Sequence, residues 1–460
     1  MSLTNPSFPW VEIAAKQFRQ NHDSIGRVWS AWYHADIKYG RGTVALTSYT
    51  KIKTDMPPDE LRQGLRDAWR TIRYYSPAIA CAVGEFYRTY AVITDKEADE
   101  WVDSTFQTHR EGTVDDILYL HRNDLNPTLH FFPGQDGGEV VKTGHHFFND
   151  GRGEFFFWDA LFKLVTSPKT VTFGDEDKHL PPARDDLLSL PSHPTVPSYI
   201  KGTAILGESF AADPVMLPLA SGTGTHRFRR MRASLDESQT ARLVSACKHH
   251  GVTVTGAIKA AHILTIREAA GAQESLRDQC SGLEFIDIRG AFPASHDSRS
   301  NFGTDYHVFL PGKFELGGGK TYIDVARDMT RWFRKTRQDL IESAEGLDAV
   351  AYMMLEALTK ADPAPLPPIF SSIGILEDFM QHSHGDGKLV VEDTWMAVPA
   401  HHSPLNAIWV WTWRGRLNLL MSFDEGYYDV DAVEAILKAT IDTTLRELGV
   451  EETAASHSAA

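Results

Sequence analysis

A proline-rich segment separates two parts of the sequence that each contain helix and strand patterns. Within residues 175–225, five prolines lie between positions 181 and 197, and the segment ends in the small residues SGTGT. Proline fixes φ and has no backbone N–H, so such a segment does not continue a long helix or a central strand. The chain has 460 residues. A single hydrophobic core rarely organises a chain of this length. We therefore expect two domains. The prolines are Pro181, Pro182, Pro191, Pro194 and Pro197.

The expected boundaries follow from this segment. An N-terminal domain would occupy residues 1–175, a crossover linker residues 176–225, and a C-terminal domain residues 226–450. We expect the last ten positions, residues 451–460, to form a frayed tail because they are small and polar.

Both parts of the sequence predict a mixture of helices and strands. Residues 58–76 carry the apolar stripe of an amphipathic helix, and residues 139–148 predict a strand that runs into a loop. In the second part, residues 237–250 predict a helix that ends at a glycine. Residues 407–423 predict a hairpin that turns at Arg414 and the glycine after it. These patterns indicate the α/β class, with mixed sheets and flanking helices.

The composition limits the classes of partner. With 46 basic and 61 acidic residues the net charge is −15, which disfavours nucleic acid and anionic membranes as partners. The three cysteines, Cys81, Cys247 and Cys280, suggest neither a disulfide framework nor a zinc site. We find no secretory signal and no apolar run of about 18 residues. We therefore expect a cytoplasmic monomer, without membrane or nucleic-acid partners, that binds no metal and no cofactor.

One short string suggests catalytic chemistry. Residues 144–153 read GHHFFNDGRG and contain the pattern HHxxxDG. A neutral imidazole, with an ordinary pKa near 6.5, can remove a proton from a hydroxyl group near neutral pH. A metal site at His146 and Asp150 is the weaker alternative, because HExxH and related ligand spacings are lacking. The residues of the pattern are His145, His146, Asp150 and Gly151.

The pattern and its surroundings resemble the chloramphenicol-acetyltransferase-like superfamily, which includes plant BAHD acyltransferases, alcohol acetyltransferases and the condensation domains of peptide synthetases. Residues 285–303 are similar to a strand and loop that carry an arginine, and residues 369–376 (IFSSIGIL) to a strand with a Ser-Ser pair. Length and C-terminal layout look most like fungal trichothecene O-acetyltransferases. Residues 377–385 read EDFMQHSHG where BAHD enzymes have DFGWG, which argues against that branch.

The resemblance implies two chloramphenicol-acetyltransferase-like subdomains with an active-site tunnel between them. It also implies direct attack of the acceptor on a thioester, with His146 as the general base. Asp150 would be salt-bridged to Arg289 and would hold the loop, and Gly151 would let the backbone pass close to the histidine. The candidate donors to the oxyanion are Ser371 and Ser372.

The implied co-substrate is an acyl-CoA. A basic run at residues 227–232 (RFRRMR) could contact its phosphate groups, although such a run is more often a solvated strand face. The candidate CoA contacts are Arg227, Arg229 and Lys259.

The expected function is therefore a CoA-dependent acyltransferase, acetylating a hydroxyl group of an apolar secondary metabolite. Two alternatives remain open. A condensation-type enzyme would take its acyl group from a carrier protein. A repurposed scaffold would use His146 as the base of a cyclisation or isomerisation without acyl transfer.

Overall fold

The computed structural model describes residues 7–40, 44–118, 126–207, 215–220, 226–270, 278–358, 367–399 and 402–450. Strands and helices alternate along both parts of the chain. The strands are β1 (Val11–Ala14), β2 (Gln17–Asn21), β3 (Ala45–Thr54), β4 (Ala82–Val83), β5 (Tyr87–Ala91), β6 (Phe106–Thr108), β7 (Thr128–Gly134), β8 (Gly137–His145), β9 (Phe228–Ser234), β10 (Gln279–Asp287), β11 (His307–Glu315), β12 (Ile369–Ile375), β13 (Ser383–His384), β14 (Leu389–Ala397), β15 (Ala407–Trp413) and β16 (Arg416–Asp424). The helices are α1 (Ser24–Tyr39), α2 (Pro58–Tyr75), α3 (Asp95–Thr105), α4 (Val114–Leu118), α5 (Gly151–Thr166), α6 (Arg184–Leu187), α7 (Val196–Gly207), α8 (Glu237–His250), α9 (Val254–Ala269), α10 (Tyr322–Glu342), α11 (Leu347–Leu358) and α12 (Val430–Glu447).

Two six-stranded sheets organise the molecule. The first has the order β13-β14-β3-β8-β7-β6, and the second the order β11-β10-β12-β15-β16-β9. A small four-stranded sheet, β1-β2-β5-β4, accompanies the first. Both large sheets mix parallel and antiparallel pairs, since β6 is parallel to β7 and β12 is parallel to β10 and β15. The α/β class with mixed sheets and flanking helices is thus confirmed.

The first sheet contains strands from the C-terminal part of the chain. β14 pairs antiparallel with β3 from Leu389 to Ala397 and carries the short β13 on its other side. The segment that we assigned as a whole to a C-terminal domain, residues 226–450, therefore contributes to both sheets. The two sheets are distinct, but the chain passes between them more than once, since β13 and β14 of the first sheet lie between β12 and β15 of the second in sequence. We call them the N-terminal and the C-terminal subdomain after the strands that dominate each.

Local sequence signals explain the elements closest to the sheets. α2 begins at Pro58, where the missing N–H costs nothing, and it buries Leu61, Leu65 and Trp69 of the predicted stripe. The predicted hairpin is β15 and β16. Its turn residues Arg414 and Gly415 both have positive φ, as a type I′ hairpin turn requires.

The hydrophobic interior has two main parts. The larger core runs between the two large sheets and includes Trp158 of α5 and Trp409 of β15. The second core lies under α9 and α12 on the other face of the C-terminal sheet, around Ile258 and Val433. The functional cavity borders the first core, where the subdomains meet. Within the described residues, none of the helices combines the length and the apolar character needed to span a bilayer.

Candidate active site

The HHxxxDG motif forms the connection between β8 and α5. β8 ends at His145, a short 3-10 turn covers His146 to Phe148, and Asp150 is the N-cap of α5. The Asp150 carboxylate accepts hydrogen bonds from the backbone N–H groups of Arg152, at 3.1 Å, and Gly153, at 2.8 Å. This N-cap fixes the start of the helix. The spacing of the motif therefore places His146 in a short turn directly before the N-terminus of α5.

A cavity of about 280 Å³ lies where the two subdomains meet. The N-terminal subdomain contributes His146 and Arg152 to its wall, and the C-terminal subdomain contributes Ser371, Ser372 and Trp409. The structure thus brings the predicted base and both candidate oxyanion donors to one cavity. The hydroxyl groups of Ser372 and Thr255 share a hydrogen bond of 2.9 Å, which ties β12 to the start of α9.

His146 is held in a dry, aromatic environment. It is 4% exposed, and its ring stacks on the indole of Trp29 with centroids 4.4 Å apart and planes inclined by 16°. Its backbone N–H donates to the carbonyl of Val44 at 3.1 Å. Burial, and then the neighbouring His307, lower the pKa of His146 to about 4. Because desolvation disfavours the charged form, the imidazole is neutral at pH 7 and able to accept a proton.

His145 has a different environment. Its Nδ1 accepts a hydrogen bond from the backbone N–H of Phe147 at 3.0 Å, and its ring meets Trp29 and Tyr33 edge-on. Burial lowers its pKa to about 3. These contacts hold the turn, which fits a structural role for the first histidine of the motif.

Asp150 links the motif to the C-terminal subdomain. Its carboxylate lies 2.9 Å from the guanidinium of Arg289 and accepts the backbone N–H of Tyr306 at 2.7 Å. Burial acts to raise the pKa of Asp150, but Arg289 outweighs it and the pKa falls to about 2. Arg289 also pairs with Asp287 at 2.6 Å. The pairing implied by the resemblance is therefore present. Asp150 forms a buried salt bridge that joins the two subdomains.

Gly151 lies where the subdomains approach each other closely. A Cβ atom at this position would come within 2.9 Å of Cδ1 of Ile373 on β12 and within 3.4 Å of the side chain of Met396 on β14. Contacts of this length require the neighbour to move. The glycine therefore permits close packing of α5 against both strands, whereas the resemblance attributed its role to backbone passing close to the histidine.

The candidate CoA contacts are not part of the cavity wall. Lys259 is 1% exposed, forms a close ion pair with Glu284 and packs against Phe314 and Phe370. Its proposed contact with a phosphate is therefore wrong, because an ammonium group sealed in the core cannot reach a soluble co-substrate.

The basic run is also directed elsewhere. β9 is the edge strand of the C-terminal sheet, three strands away from β12, which borders the cavity. Arg229 pairs closely with Glu425, and Arg227 precedes this edge strand. The structure therefore does not bring Arg227 or Arg229 to the cavity.

Two other arginines lie at the cavity, where the CoA contacts were expected. Arg334 and Arg337 of α10 line the cavity. No ion pair recorded among the described residues includes either of them. Sequence analysis missed them, although three-residue spacing on a helix places two side chains on one face.

A further pair of residues at the cavity was also missed. His307, the first residue of β11, makes a close contact with the carboxylate of Asp305 through its Nδ1 atom, and it lies in the cavity wall. Potential ligand atoms of His146, Asp305 and His307 all lie within 4.8 Å of one another. Because the Asp305 carboxylate and Nδ1 of His307 already contact each other, we interpret the cluster as a paired carboxylate and imidazole beside the base. The string TDYH, which starts at Thr304, carries no recognisable spacing signal.

Comparisons with known proteins agree with this geometry. No protein-family model matches the chain. O-acetyltransferase pigM of Monascus ruber is 25% identical over 84% of this chain and 77% of its own length. The solved structure of TRI3 trichothecene 15-O-acetyltransferase from Fusarium sporotrichioides superposes with a TM-score of 0.80 at 18% identity, covering 97% of this chain and all of that one. The condensation domain of the monacolin K polyketide synthase MokA has a TM-score of 0.62 at 13% identity, covering 94% and 97%.

The two-subdomain fold, with the motif between β8 and α5, is therefore the fold of the solved trichothecene 15-O-acetyltransferase and of the condensation domain. Over most of its length the chain is also similar in sequence to an acetyltransferase, which supports an enzyme that transfers acyl groups.

Proposed function

We propose that the protein is a CoA-dependent O-acetyltransferase that acylates a hydroxyl group of an apolar secondary metabolite. The observation that carries the proposal is a buried, neutral imidazole, that of His146, in the wall of a cavity lined by both subdomains. The acetyl group and the hydroxyl acceptor are suggested by the relatives, one named an O-acetyltransferase and one a trichothecene 15-O-acetyltransferase.

The proposed reaction is a direct transfer. His146 accepts the hydroxyl proton while the acceptor oxygen bonds to the thioester carbonyl carbon, and the carbonyl electron pair moves onto its oxygen. A serine hydroxyl on β12, from Ser371 or Ser372, donates to this oxyanion. The carbonyl then re-forms, the C–S bond breaks, and the sulfur leaves with the electron pair.

The cavity wall suits an apolar acceptor. Phe285, Ile286, Ile373, Met396 and Trp409 all contribute to it. Such side chains bind ligands mainly through apolar contact, while a few polar groups fix the orientation. Of the polar groups in the wall, we assign the base to the acceptor hydroxyl and the serines to the thioester carbonyl, and we expect the acceptor to carry its hydroxyl on an apolar skeleton.

The donor is assigned to CoA on the basis of charge. The guanidinium groups of Arg334 and Arg337 are suited to phosphate oxygens. CoA carries an adenosine bisphosphate in addition to its pantetheine arm, so it offers more anionic groups to this face of α10 than a carrier-bound arm does.

The likeness to a condensation domain favours one second candidate, a donor attached to a carrier protein. A direct competition separates the two. Acetyl-CoA and acetyl groups on a carrier protein are offered at equal concentration, with adenosine 3′,5′-bisphosphate as a competitor. We expect CoA to be consumed faster and the bisphosphate to inhibit. Tenfold faster use of the carrier would reverse the assignment.

The central experiment measures thiol release from a panel of acyl-CoA esters in the presence of apolar alcohols. We expect acceptor-dependent release by the wild type and a loss of about 10²–10⁴-fold in His146→Ala, the usual cost of removing a general base. Activity should persist at pH 5, because a base with a pKa of about 4 is still mostly neutral there.

His262→Ala is the matched control. His262 is equally buried and its pKa is also lowered by burial, but it lies in the core of the C-terminal subdomain. It should keep its activity if it folds. Near-wild-type turnover in His146→Ala would refute the mechanism. Rearrangement of a metabolite with no thioester consumed would favour a repurposed scaffold.

A further inference from the structure

One helix makes aromatic contacts with both histidines of the motif. Trp29, Trp32 and Tyr33 of α1 have the spacing i, i+3 and i+4, which places them on one face of the helix. The ring of Trp29 stacks on His146 and meets His145 edge-on, with centroids 4.4 Å and 6.3 Å apart. The ring of Tyr33 also meets His145 edge-on, at 5.4 Å. The double-histidine turn therefore packs against α1, which the HHxxxDG motif does not include.

Trp29 is itself held on two sides. Its ring lies nearly parallel to that of Trp32, with centroids 5.7 Å apart and planes inclined by 13°. Its indole N–H donates to the carboxylate of Asp305, and the residue is 2% exposed. Stacking restrains the plane of the indole, and the hydrogen bond restrains its rotation within that plane. The ring that contacts His146 is therefore fixed before a substrate binds.

The imidazole of His146 is held differently from those of other buried histidines. Nε2 of His384 lies 3.0 Å from the carboxylate of Asp159, and Nδ1 of His307 contacts that of Asp305. Nδ1 of His146 is buried and has no hydrogen-bond partner on another described residue, although its own backbone carbonyl acts to raise the pKa of the ring. The stacked indole is therefore the side chain that sets the plane of this imidazole.

The indole has no direct access to a substrate in the cavity. His146 is part of the cavity wall, and Trp29 is not among the described residues that line it. Trp29 can therefore influence the reaction only through the base. A flat ring against one face of an imidazole limits its rotation and excludes water from that face.

We propose that Trp29 is a positioning residue of the active site, which holds the imidazole of His146 by stacking in the plane needed to accept the proton of the acceptor. The inference rests on the proposed acyl transfer, because His146 is the base of that reaction. The stacked contact performs this role, and the hydrogen bond to Asp305 does not. Misplacing a catalytic group by about 1 Å can lower the rate by about 10²-fold.

The stacked ring also affects the charge of the base. The titratable groups that face the imidazole of His146 are His145 and Asp150 of the motif, together with Asp305 and His307 beside the start of β11. The two carboxylates act to raise its pKa, but burial has the largest effect and lowers the pKa to about 4. The indole contributes to this burial and carries no charge. Removing it should therefore return the pKa of the base towards its ordinary value.

The test compares Trp29→Leu, Trp29→Phe and the wild type for kcat, KM and the pH dependence of kcat. Leucine is apolar but has no flat ring. It should lower kcat by about 10²-fold, leave KM for both substrates nearly unchanged and move the rising limb of the pH profile to higher pH. Phenylalanine keeps a flat ring and lacks the indole N–H, so it should restore most of kcat and the wild-type profile. Equal losses in the two variants would assign the effect to the hydrogen bond with Asp305 and overturn the inference.

Trp69→Leu is the matched control. Trp69 is fully buried, stacks on Trp101 with centroids 4.9 Å apart and donates its indole N–H to Thr105 at 2.9 Å, but it does not line the cavity. The substitution should lower the melting temperature and leave kcat and the pH profile as in the wild type. A loss of kcat equal to that of Trp29→Leu would show a general effect of destabilisation and contradict the proposal, as would a wild-type kcat in Trp29→Leu.

A milder variant covers the case in which Trp29→Leu does not fold. Trp32 is partly exposed and supports the stack from the next turn of α1. Trp32→Ala should lower kcat and move the rising limb in the same direction, to a smaller extent. If neither changes in Trp32→Ala, the inference is wrong.

A measurement without substrate separates this inference from the proposed function. Isotope labelling of the histidine nitrogens allows the imidazole to be titrated by NMR, with the signals of His146 identified by their absence in His146→Ala. The wild-type ring should be mostly neutral at pH 5, and the ring in Trp29→Leu should gain its proton at a higher pH. A wild type that consumes no thioester contradicts the proposed function alone. An imidazole that titrates at the wild-type pH in Trp29→Leu contradicts the role of Trp29, whatever the result with thioesters.

Discussion

Burial has opposite effects on the charged states of two motif residues. The carboxylates of Asp305 and Asp150 act to raise the pKa of His146, but desolvation outweighs them and keeps the imidazole neutral. Asp150 is just as deeply buried, but Arg289 lies 2.9 Å away and keeps it ionised. The motif thus combines a proton acceptor with a fixed negative charge only four residues later. The first serves the chemistry, and the second holds the turn that carries it.

Asp150→Asn should test that division of roles through stability. Replacing the carboxylate leaves Arg289 without its full charge partner, and breaking a buried pair typically costs about 3–5 kcal/mol. Urea denaturation should show this loss in the free energy of unfolding. Arg152→Ala is a suitable control, because it removes a different ion pair, that with Asp287 at 2.7 Å. A loss confined to activity, with unchanged stability, would contradict the structural role.

The same pair gives a pH dependence of stability. The pKa of Asp150 falls from an ordinary 3.8 to about 2 on folding. The folded state therefore holds the proton less tightly than the unfolded state, and the stability gained from this group is present above pH 4 and lost as the pH falls towards 2. In Asp150→Asn this part of the acid-induced loss should be missing.

At the scale of elements, α10 has two different faces. Its buried side, with Val325 and Met329, packs into the second core. Near its C-terminal end, Arg334 and Arg337 border the cavity instead. A single helix thus extends from the core of the C-terminal subdomain to the part of the cavity that we propose binds the phosphate groups of the donor.

Replacing Arg334 and Arg337 together by alanine should weaken donor binding selectively. We expect KM for acetyl-CoA to rise about tenfold, with kcat and the acceptor KM nearly unchanged, because each charge-assisted hydrogen bond to phosphate contributes roughly 1.5–3 kcal/mol before solvent screening. Steady-state kinetics at two ionic strengths would measure this, with a smaller difference at high salt. Arg331→Ala, on the same helix but outside the cavity and paired with Asp328, is the control. An unchanged KM for acetyl-CoA would mean that the donor phosphates bind elsewhere.

Some elements could be predicted from sequence because their signals are local. The stripe of α2 and the turn at Arg414 depend on neighbours along the chain. The environment of Lys259 does not depend on its neighbours along the chain. Its burial follows from Glu284 on a separate strand, and one sequence gives no sign of which strand will lie opposite a helix.

The candidate site shows the same limit. The motif predicted His146 as the base, and the resemblance supplied the pairing of Asp150 with Arg289, which lie 139 residues apart. His307 lies 161 positions beyond His146, and only the folded chain brings their rings together. Acidic and histidine residues two apart, as in Asp305 and His307, occur too commonly in sequences to be read as a site.

At the scale of the whole molecule, β14 makes the two subdomains one structural unit. It pairs with β3 over its length, and the side chain of Thr394 donates to the carbonyl of Tyr49 at 2.8 Å. Met396 on the same strand reaches the cavity. Loss of this strand would therefore open the N-terminal sheet and the active site together.

Thr394→Pro should destabilise the entire protein. Proline removes a backbone donor at a fully buried position of the strand, which should cost about 1–3 kcal/mol. Thermal unfolding, followed by circular dichroism, should show one transition at a lower temperature. Glu392→Pro is the control, because residue 392 lies at an irregularity where its backbone has no partner in the register with β3, and its side chain makes only an exposed ion pair with Lys51. Two separate transitions would show that the subdomains unfold independently.

The contribution of β14 also has a consequence during synthesis on the ribosome. The chain emerges from its N-terminus, and β3 has only β8 as a neighbour until residues 389–397 have been made. For most of translation the nascent chain therefore presents an open strand edge, with Tyr49 and Ile52 close to it, of the kind that recruits chaperones or pairs with other chains. A ribosome stalled before position 389 would release a chain whose motif is complete but whose sheet is not. The yield of active enzyme should thus depend on how quickly the last part of the message is translated.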